Sequence, residues 1–248
     1  MRTETATGLR RALTAAACAG LALGAFPPGA VAQEGAEGAP RPRVPAGVKL
    51  AVLPVQSVSP APSGAWPGGA SSRSDARDRM NAELDFALSS SRDAAAWSGP
   101  RALTRLVERN PMIDADPHRL AVGRLAGVEP GEQQLREPLH RQLRRLSALA
   151  DVRIAVIPVR LTWLPPGELA GSDGEEGDGS GGEAGAASGD SAGPSPHAPG
   201  RTVLETVVVD TRAARVLWRG DVLAAPAPPG APGSLASLAS NLVRLLAP

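Results

Sequence analysis

The 248-residue chain has one cysteine, no tyrosine, two phenylalanines and four tryptophans. The cysteine, Cys18, lies inside an apolar segment near the N-terminus, so a chain cleaved after that segment contains no thiol. This excludes disulfides, cysteine-based metal sites and a cysteine nucleophile from the mature protein. We therefore expect its stability to come from an ordinary apolar core.

Lysine is nearly absent too, since Lys49 is the only lysine among 26 basic residues. This bias is typical of a GC-rich coding sequence. The formal net charge of +1 gives no electrostatic reason to expect nucleic acid or an anionic membrane as a partner. No glycine-rich loop follows a predicted strand, so nucleotide chemistry has no support and we predict no cofactor.

The N-terminal segment carries a targeting signal. Two arginines precede an apolar stretch at residues 12–26, and a small-residue Ala-Val-Ala site ends at Ala32. This order predicts a signal peptide over residues 1–32, cleaved after Ala32, and a secreted, periplasmic protein. The apolar stretch is shorter than the about 20 residues that span a bilayer, so we expect no integral membrane segment in the mature chain. An outer-membrane lipoprotein acylated at Cys18 is the alternative.

The mature chain divides into a tether and one domain. Residues 33–46 are rich in Gly and Pro and predict a flexible tether before a single α/β domain at residues 47–248. Val48–Val55 and Asp151–Trp163 are apolar on both alternating faces, which is typical of strands buried inside a sheet. Residues 165–200 contain mainly Gly, Ser, Ala and acids, and predict a disordered insertion because they cannot bury enough apolar surface.

Capping residues and apolar periodicity predict the helices. The expected segments are Asp75–Leu88 capped by Ser74, a helix from Pro100, a helix from Asp116 to Gly127, a helix after Pro138, and a C-terminal helix containing Leu235–Leu246. Together these elements predict an α/β fold with three layers, in which helices flank a mixed sheet of about four or five strands that closes with a β-hairpin.

The hairpin prediction rests on VVVDTRAARVLWRGDV at Val207–Val222. Placing Asp210 opposite Arg215 pairs Val207 with Trp218 and puts both side chains on one face. On this register Trp218 packs the hairpin against a helix, and Asp210 and Arg215 form an exposed ion pair at the turn. A tryptophan that stacks on a ligand is the alternative.

The order of these segments resembles the small α/β domains of bacterial envelope accessory proteins. It runs from AVLPV at 51–55 through ADVRIAVIPVRL at 150–161 to the hairpin. Such domains include the N-terminal domain of the Tol-Pal protein TolB and the lipoproteins that activate penicillin-binding proteins. Their hairpin follows a D-x-x-T-G-x-V-x-W-like pattern, which Thr211 and Trp218 match, whereas Arg212 stands in place of glycine. The resemblance implies a non-enzymatic module that binds a protein partner at the cell envelope.

Three motifs partly match catalytic or metal-binding patterns but lack the flanking elements or the spacing that such sites need. GDSAG at 189–193 fits the nucleophile elbow but lacks the flanking strand and helix. Asp114, Asp116 and His118 alternate as metal ligands can, yet Asp116 followed by proline is explained as a helix start. The acids of the predicted insertion do not follow calcium-loop spacing. We therefore predict no catalytic residues and no metal ligands.

The helix after Pro138 carries a basic face, which is typical of a solvated helix surface. Its arginines are Arg136, Arg141, Arg144 and Arg145.

The rival to a binding module is a hydrolase whose site forms only on folding. Its sign would be a pocket that brings His118 or His140 together with acids and a hydroxyl.

Overall fold

A computed structural model of the chain describes residues 41–42, 44–45, 47–92, 96–125, 128, 130–131, 135–166 and 199–247. The predicted signal peptide and cleavage site, most of the predicted tether, and residues 167–198 of the predicted insertion lie outside the described residues. The described residues all belong to one compact unit, Ala39–Pro248.

The strands and helices follow one another in a mixed α/β order. In the described part of the chain they are β1 (Leu50–Val52), β2 (Ser57–Val58), α1 (Arg73–Ser89), β3 (Trp97–Ser98), α2 (Pro100–Glu108), α3 (Leu139–Ala150), β4 (Ile154–Leu164), β5 (Arg201–Asp210), β6 (Arg215–Leu223) and α4 (Gly233–Leu246). Short 3-10 helices lie at Pro67–Gly69 and Val122–Leu125.

The sheet is mixed, as the sequence predicts. Its order is β3-β1-β4-β5-β6, in which β1 pairs in parallel with β3 and β4, and the β4, β5 and β6 pairs are antiparallel. β2 pairs with β4 beyond the end of β1. The ladder is interrupted between them at Pro54, which has no amide hydrogen to donate.

Helices cover both faces of the sheet, which confirms the predicted α/β fold. On one face, β-strand residues pack with α1 and α4; their buried residues include Leu50, Val156, Leu204, Met80, Leu84, Leu238 and Leu242. On the other face they pack with α2 and α3; the buried residues there include Ala51, Ile157, Val207, Leu103, Leu139 and Leu143. The two sets alternate along each strand because successive side chains point to opposite faces.

The predicted caps and helices differ from the structure at two places. Ser72, not Ser74, is the N-cap of α1: its backbone is extended and its hydroxyl accepts a hydrogen bond from the Asp75 amide at 3.2 Å. Ser74 lies inside the helix.

The helix predicted from Asp116 to Gly127 does not form as an α-helix. The Asp116 carboxylate accepts a hydrogen bond from the His118 amide at 2.8 Å, which closes a tight turn. The Leu120 amide donates to the side chain of Gln56 at 2.9 Å instead of to a helical carbonyl. These side-chain bonds compete with a short helix, and only the 3-10 turn at Val122–Leu125 remains.

The hairpin forms, but part of its predicted register is wrong. Asp210 is opposite Arg215 as predicted, whereas Trp218 is opposite Val208 and Arg219 is opposite Val207. The register shifts because Leu217 is an extra residue in β6, which makes a β-bulge. Trp218 consequently packs with α1 and α4, on the face opposite to Val207.

The predicted exposed ion pair between Asp210 and Arg215 is also wrong. Asp210 is only 4% exposed, and its carboxylate accepts hydrogen bonds from the Arg153 guanidinium at 2.7 and 2.8 Å. Its other oxygen accepts from the amides of Arg212 and Ala213, both at 3.0 Å. Asp210 therefore ties the tight turn of the hairpin to the start of β4.

Candidate functional site

A groove of about 920 Å³ lies between α1 and α2. We call it the α1–α2 groove. Acids, arginines, hydroxyls and apolar side chains all contribute to its walls. Its lining residues are Asp78, Asn81, Ala82, Asp85, Phe86 and Ser89 of α1, Pro100, Arg101, Ala102, Thr104, Arg105 and Glu108 of α2, and His118.

The sheet topology explains why a groove forms here. β1 and β3 are parallel neighbours, and the helices that follow them, α1 and α2, pack on opposite faces of the sheet. β3 is the edge strand, so the two helices meet around that edge of the sheet and the groove lies between them.

Asp85 joins the two helices at one end of the groove. Its carboxylate oxygens accept hydrogen bonds from the Arg101 amide, both at 3.2 Å, and so cap the N-terminus of α2. A Cβ atom on Gly99 would collide with this carboxylate, which would then have to move away from the Arg101 amide. Burial raises the pKa of Asp85, although the Arg101 amide and the charges of Arg101 and Arg105 act in the opposite direction.

Asn81 joins α1 to the sheet and leaves one polar group free. The residue is 9% exposed, and its side-chain oxygen accepts a hydrogen bond from the Val55 amide at 2.9 Å, just after the interruption at Pro54. Its Nδ2 group forms no hydrogen bond with any described residue, and the side chain lines the groove. Asn81 therefore offers an amide donor to a bound molecule.

The rim of the groove has an exposed aromatic side chain and two basic ones. Phe86 is 69% exposed although it belongs to a well-packed helix. Arg101 and Arg105 lie one turn apart on α2, and neither guanidinium forms an ion pair within the described part of the chain.

The groove does bring His118 together with acids and a hydroxyl, as the hydrolase hypothesis required. The Thr104 hydroxyl lies 3.0 Å from the Pro100 carbonyl oxygen and 3.1 Å from His118 Nε2. The hydroxyl has one hydrogen for these two neighbours, and the tautomer of the His118 ring decides which of them receives it. Among the described contacts, no carboxylate hydrogen-bonds the His118 ring to orient it.

The structure does not assemble the metal ligands that the sequence suggested. The Asp114 carboxylate contacts the Arg145 guanidinium at 3.1 Å, while the His118 ring meets Thr104. The described residues contain no group of three His, Cys, Asp or Glu side chains that could hold a metal ion. The GDSAG motif and the acids of the predicted insertion lie outside the described residues.

The remaining sequence candidates lie elsewhere. His140, on α3, does not line the groove; its Nδ1 is 3.6 Å from an oxygen of Glu137, which precedes that helix. Arg141, Arg144 and Arg145 line a depression of about 380 Å³ on the outer side of α3. Trp218 is 6% exposed within the core, so its ring contacts core side chains rather than a pocket.

The apolar periodicity of α1 predicts the face that packs on the sheet, and it does not predict the groove residues on the other side of the helix. A sequence signal existed in Phe86, an aromatic residue on the polar side of an otherwise amphipathic helix. Asn81 and Asp85 gave no such signal, since their partners come from a strand and from another helix.

No protein-family model, curated protein or solved structure matches the chain. In the part that the structure describes, none of the helices is both long and apolar enough to cross a membrane.

Proposed function

We propose that this protein is a secreted, periplasmic module that binds a protein partner through the α1–α2 groove and carries out no reaction. The observation that carries the proposal is the groove itself. It lies between two helices that pack on opposite faces of the sheet and presents an exposed aromatic side chain, guanidinium groups without an ion-pair partner among the described residues, and the Asn81 amide donor.

The chemistry of the groove favours binding over catalysis. In its hydroxyl–imidazole pair, Thr104 and His118, no described carboxylate hydrogen-bonds the imidazole ring to orient it as a base. Asp85 is used as a helix cap, so it does not orient His118. What remains is a surface with donors, acceptors and an apolar platform, which is the composition of a protein-binding site.

The envelope location rests on the sequence. A basic segment, a short apolar stretch and the Ala-Val-Ala site predict export, and the resemblance to envelope accessory domains points to the same compartment. Retention of a lipid-modified Cys18 by the exported protein would instead identify an outer-membrane lipoprotein, which mass spectrometry of that protein distinguishes.

A capture experiment tests the proposal. The full chain with its own leader and a C-terminal tag is produced in the cells that normally make it, and its partners are isolated from solubilised envelopes. Ala82→Arg places a long side chain in the groove, and Ala148→Arg places the same side chain on the exposed surface of α3. We expect one dominant partner with the wild type and with Ala148→Arg, and its loss with Ala82→Arg.

Two results would contradict the proposal. One is a partner that is retained equally by the Ala82→Arg protein, which would place the contact elsewhere. The other is recovery of folded wild-type protein without any partner. Circular dichroism and thermal denaturation of each variant show whether a loss of capture reflects a loss of folding.

A further inference from the structure

We propose that the outer surface of α3, together with the turn at Pro111 and Met112 beside it, binds the surface of an anionic phospholipid bilayer. This surface shares no lining residue with the α1–α2 groove, so the inference does not rest on the proposed protein partner. It follows from an excess of arginine, from the bonding of the carboxylates around it, and from an exposed apolar side chain next to it.

Two depressions, of about 380 and 200 Å³, lie on the outer side of α3. Both are lined by Arg144 and Ala148, so they adjoin each other. α3 itself contributes no acid between Leu139 and Ala150. We call the two depressions the α3 surface. The charged side chains that line it are Arg141, Arg144, Arg145, Arg212, Glu137 and Asp151.

Two of the carboxylates at or beside the α3 surface are held by cations. The Asp151 carboxylate contacts Nζ of Lys49 at 2.6 Å, and this hydrogen bond lowers the pKa of Asp151. The Asp114 carboxylate contacts the Arg145 guanidinium at 3.1 Å. Neither carboxylate therefore forms an ion pair with the other arginines of this surface.

Glu137 is the third carboxylate, and it is bonded to the first turn of the helix. One of its oxygens accepts a hydrogen bond from the Arg141 amide at 3.3 Å, and the other lies 3.6 Å from Nδ1 of His140. The guanidinium groups of Arg141, Arg144 and Arg212 form no ion pair or hydrogen bond with any described residue.

Positive charge is therefore in excess at this surface. Lys49 and the four arginines are five cations against three carboxylates, which leaves an excess of two charges. The net charge of the whole chain is only +1, so the excess is a local feature that the total conceals. A local excess of this sign attracts an anionic surface.

An apolar side chain projects beside these arginines. Residues 110–113 form a β-turn, in which the last amide donates to the first carbonyl at 2.9 Å and Pro111 and Met112 are the corner residues. Met112 is 95% exposed. Two residues further on, the carbonyl and the carboxylate of Asp114 both accept hydrogen bonds from the Arg145 guanidinium, at 2.7 and 3.1 Å. The turn is thus fixed to the edge of the α3 surface.

The combination of arginines and an exposed methionine favours a bilayer over a soluble polyanion. Each arginine close to an anionic membrane strengthens binding by about fivefold, and an apolar side chain adds to this by entering the boundary between headgroups and acyl chains. A soluble polyanion would contact the arginines but would leave Met112 in water. We therefore assign the surface to phospholipid.

Cosedimentation with vesicles tests this inference. The full exported protein is mixed with vesicles of phosphatidylcholine alone, or of phosphatidylcholine and phosphatidylglycerol in equal amounts. We expect binding only to the vesicles that contain phosphatidylglycerol, and a loss of binding as sodium chloride is added, because salt screens the attraction. Equal binding to both kinds of vesicle, or no binding at low ionic strength, would overturn the inference.

Two double variants separate the α3 surface from the total charge. Arg141→Gln with Arg144→Gln should weaken binding by about 25-fold, at about fivefold for each arginine. Arg92→Gln with Arg244→Gln removes the same charge from exposed arginines after α1 and on α4, the helices of the opposite face, and should change binding by less than about twofold. Equal weakening in the two variants would refute the assignment to α3. Circular dichroism confirms that both are folded.

Met112→Ser tests the membrane itself. Because Met112 is exposed, its replacement should leave folding unchanged, and it should weaken vesicle binding by at least about threefold. Binding of soluble inorganic polyphosphate, measured by calorimetry, should not change. Unchanged vesicle binding by Met112→Ser would contradict the proposal and identify the α3 surface as a site for soluble polyanions.

Discussion

At the scale of single residues, Trp218 and Gly220 show how one position on β6 depends on another. Trp218 is 6% exposed, and the two residues lie on the same face of the strand because they are two apart. A Cβ atom on Gly220 would lie 2.5 Å from Cζ2 of the Trp218 ring. The indole therefore lies against a position that only glycine leaves empty.

Gly220→Ala should consequently destabilise the protein. Moving a large ring within a packed core costs about 1–3 kcal/mol of unfolding free energy. Gly233→Ala is the matched control, since a Cβ atom there meets nothing within 4 Å, and alanine in a helix should leave stability unchanged or slightly higher. Urea denaturation measures both, and equal midpoints for the two variants would show that the ring has room to move.

Asp210 is the residue whose ionisation should matter most for acid stability. Burial acts to raise its pKa, but hydrogen bonds from Arg153 and from the Ala213 and Arg212 amides lower the pKa below its ordinary value of 3.8 on balance. The folded state thus favours the ionised form. This contribution is present above the pKa of the unfolded chain and is lost as pH falls through the lower pKa of the folded state.

Asp210→Asn should therefore destabilise the protein by about 2 kcal/mol at neutral pH, because it removes the charged hydrogen bonds from Arg153. The difference from wild type should begin to shrink as the pH falls below the ordinary pKa of 3.8, where Asp210 of the unfolded chain binds a proton, and it should vanish below the lowered pKa of the folded state. Asp151→Asn removes the exposed ion pair with Lys49 and should barely change the denaturation midpoint. Denaturation at several pH values tests both, and a constant difference across pH would refute the assignment.

At the scale of elements, the sequence predicted most strands and helices because their apolar periodicity is local. The predictions of the hairpin register and of a helix at 116–127 were wrong because these features are not determined by local periodicity. Leu217 shifts the pairing by forming a bulge, and Gln56, distant along the chain, supplies the bond that replaces a helical one at Leu120. The α1–α2 groove could not be predicted from the sequence either, because it exists only when α1 and α2 pack at the edge of the sheet.

The bulge gives a prediction about deletions in β6. Removing Leu217 should leave Val216 and Trp218 on their observed faces, because Leu217 has no partner residue of its own in β5. The cost should be about 1 kcal/mol for the lost, partly buried side chain.

Deleting Arg219 is the matched comparison. It shortens β6 by the same amount but moves the buried Val222 to the opposite face, and should prevent stable folding. Yield and circular dichroism of the two deletion variants distinguish the cases, and similar loss of folding in both would refute the role given to the bulge.

At the scale of the whole molecule, the order of strands connects fold and function. The chain leaves β1 for a helix on one face and leaves the neighbouring β3 for a helix on the other face. The groove lies between these two helices, and Asp85 and Asn81 hold its two walls to each other and to the sheet. On the proposed function, a partner occupies this groove.

Photo-crosslinking in the cells that make the protein tests that claim most directly. A benzophenone amino acid replaces Phe86 in the groove or, as the control, the exposed Ala148 on α3. Irradiation should give one discrete adduct of higher mass from position 86 and none from position 148. An absence of adduct at position 86, or equal adducts at both positions, would contradict the account of the groove as the binding site.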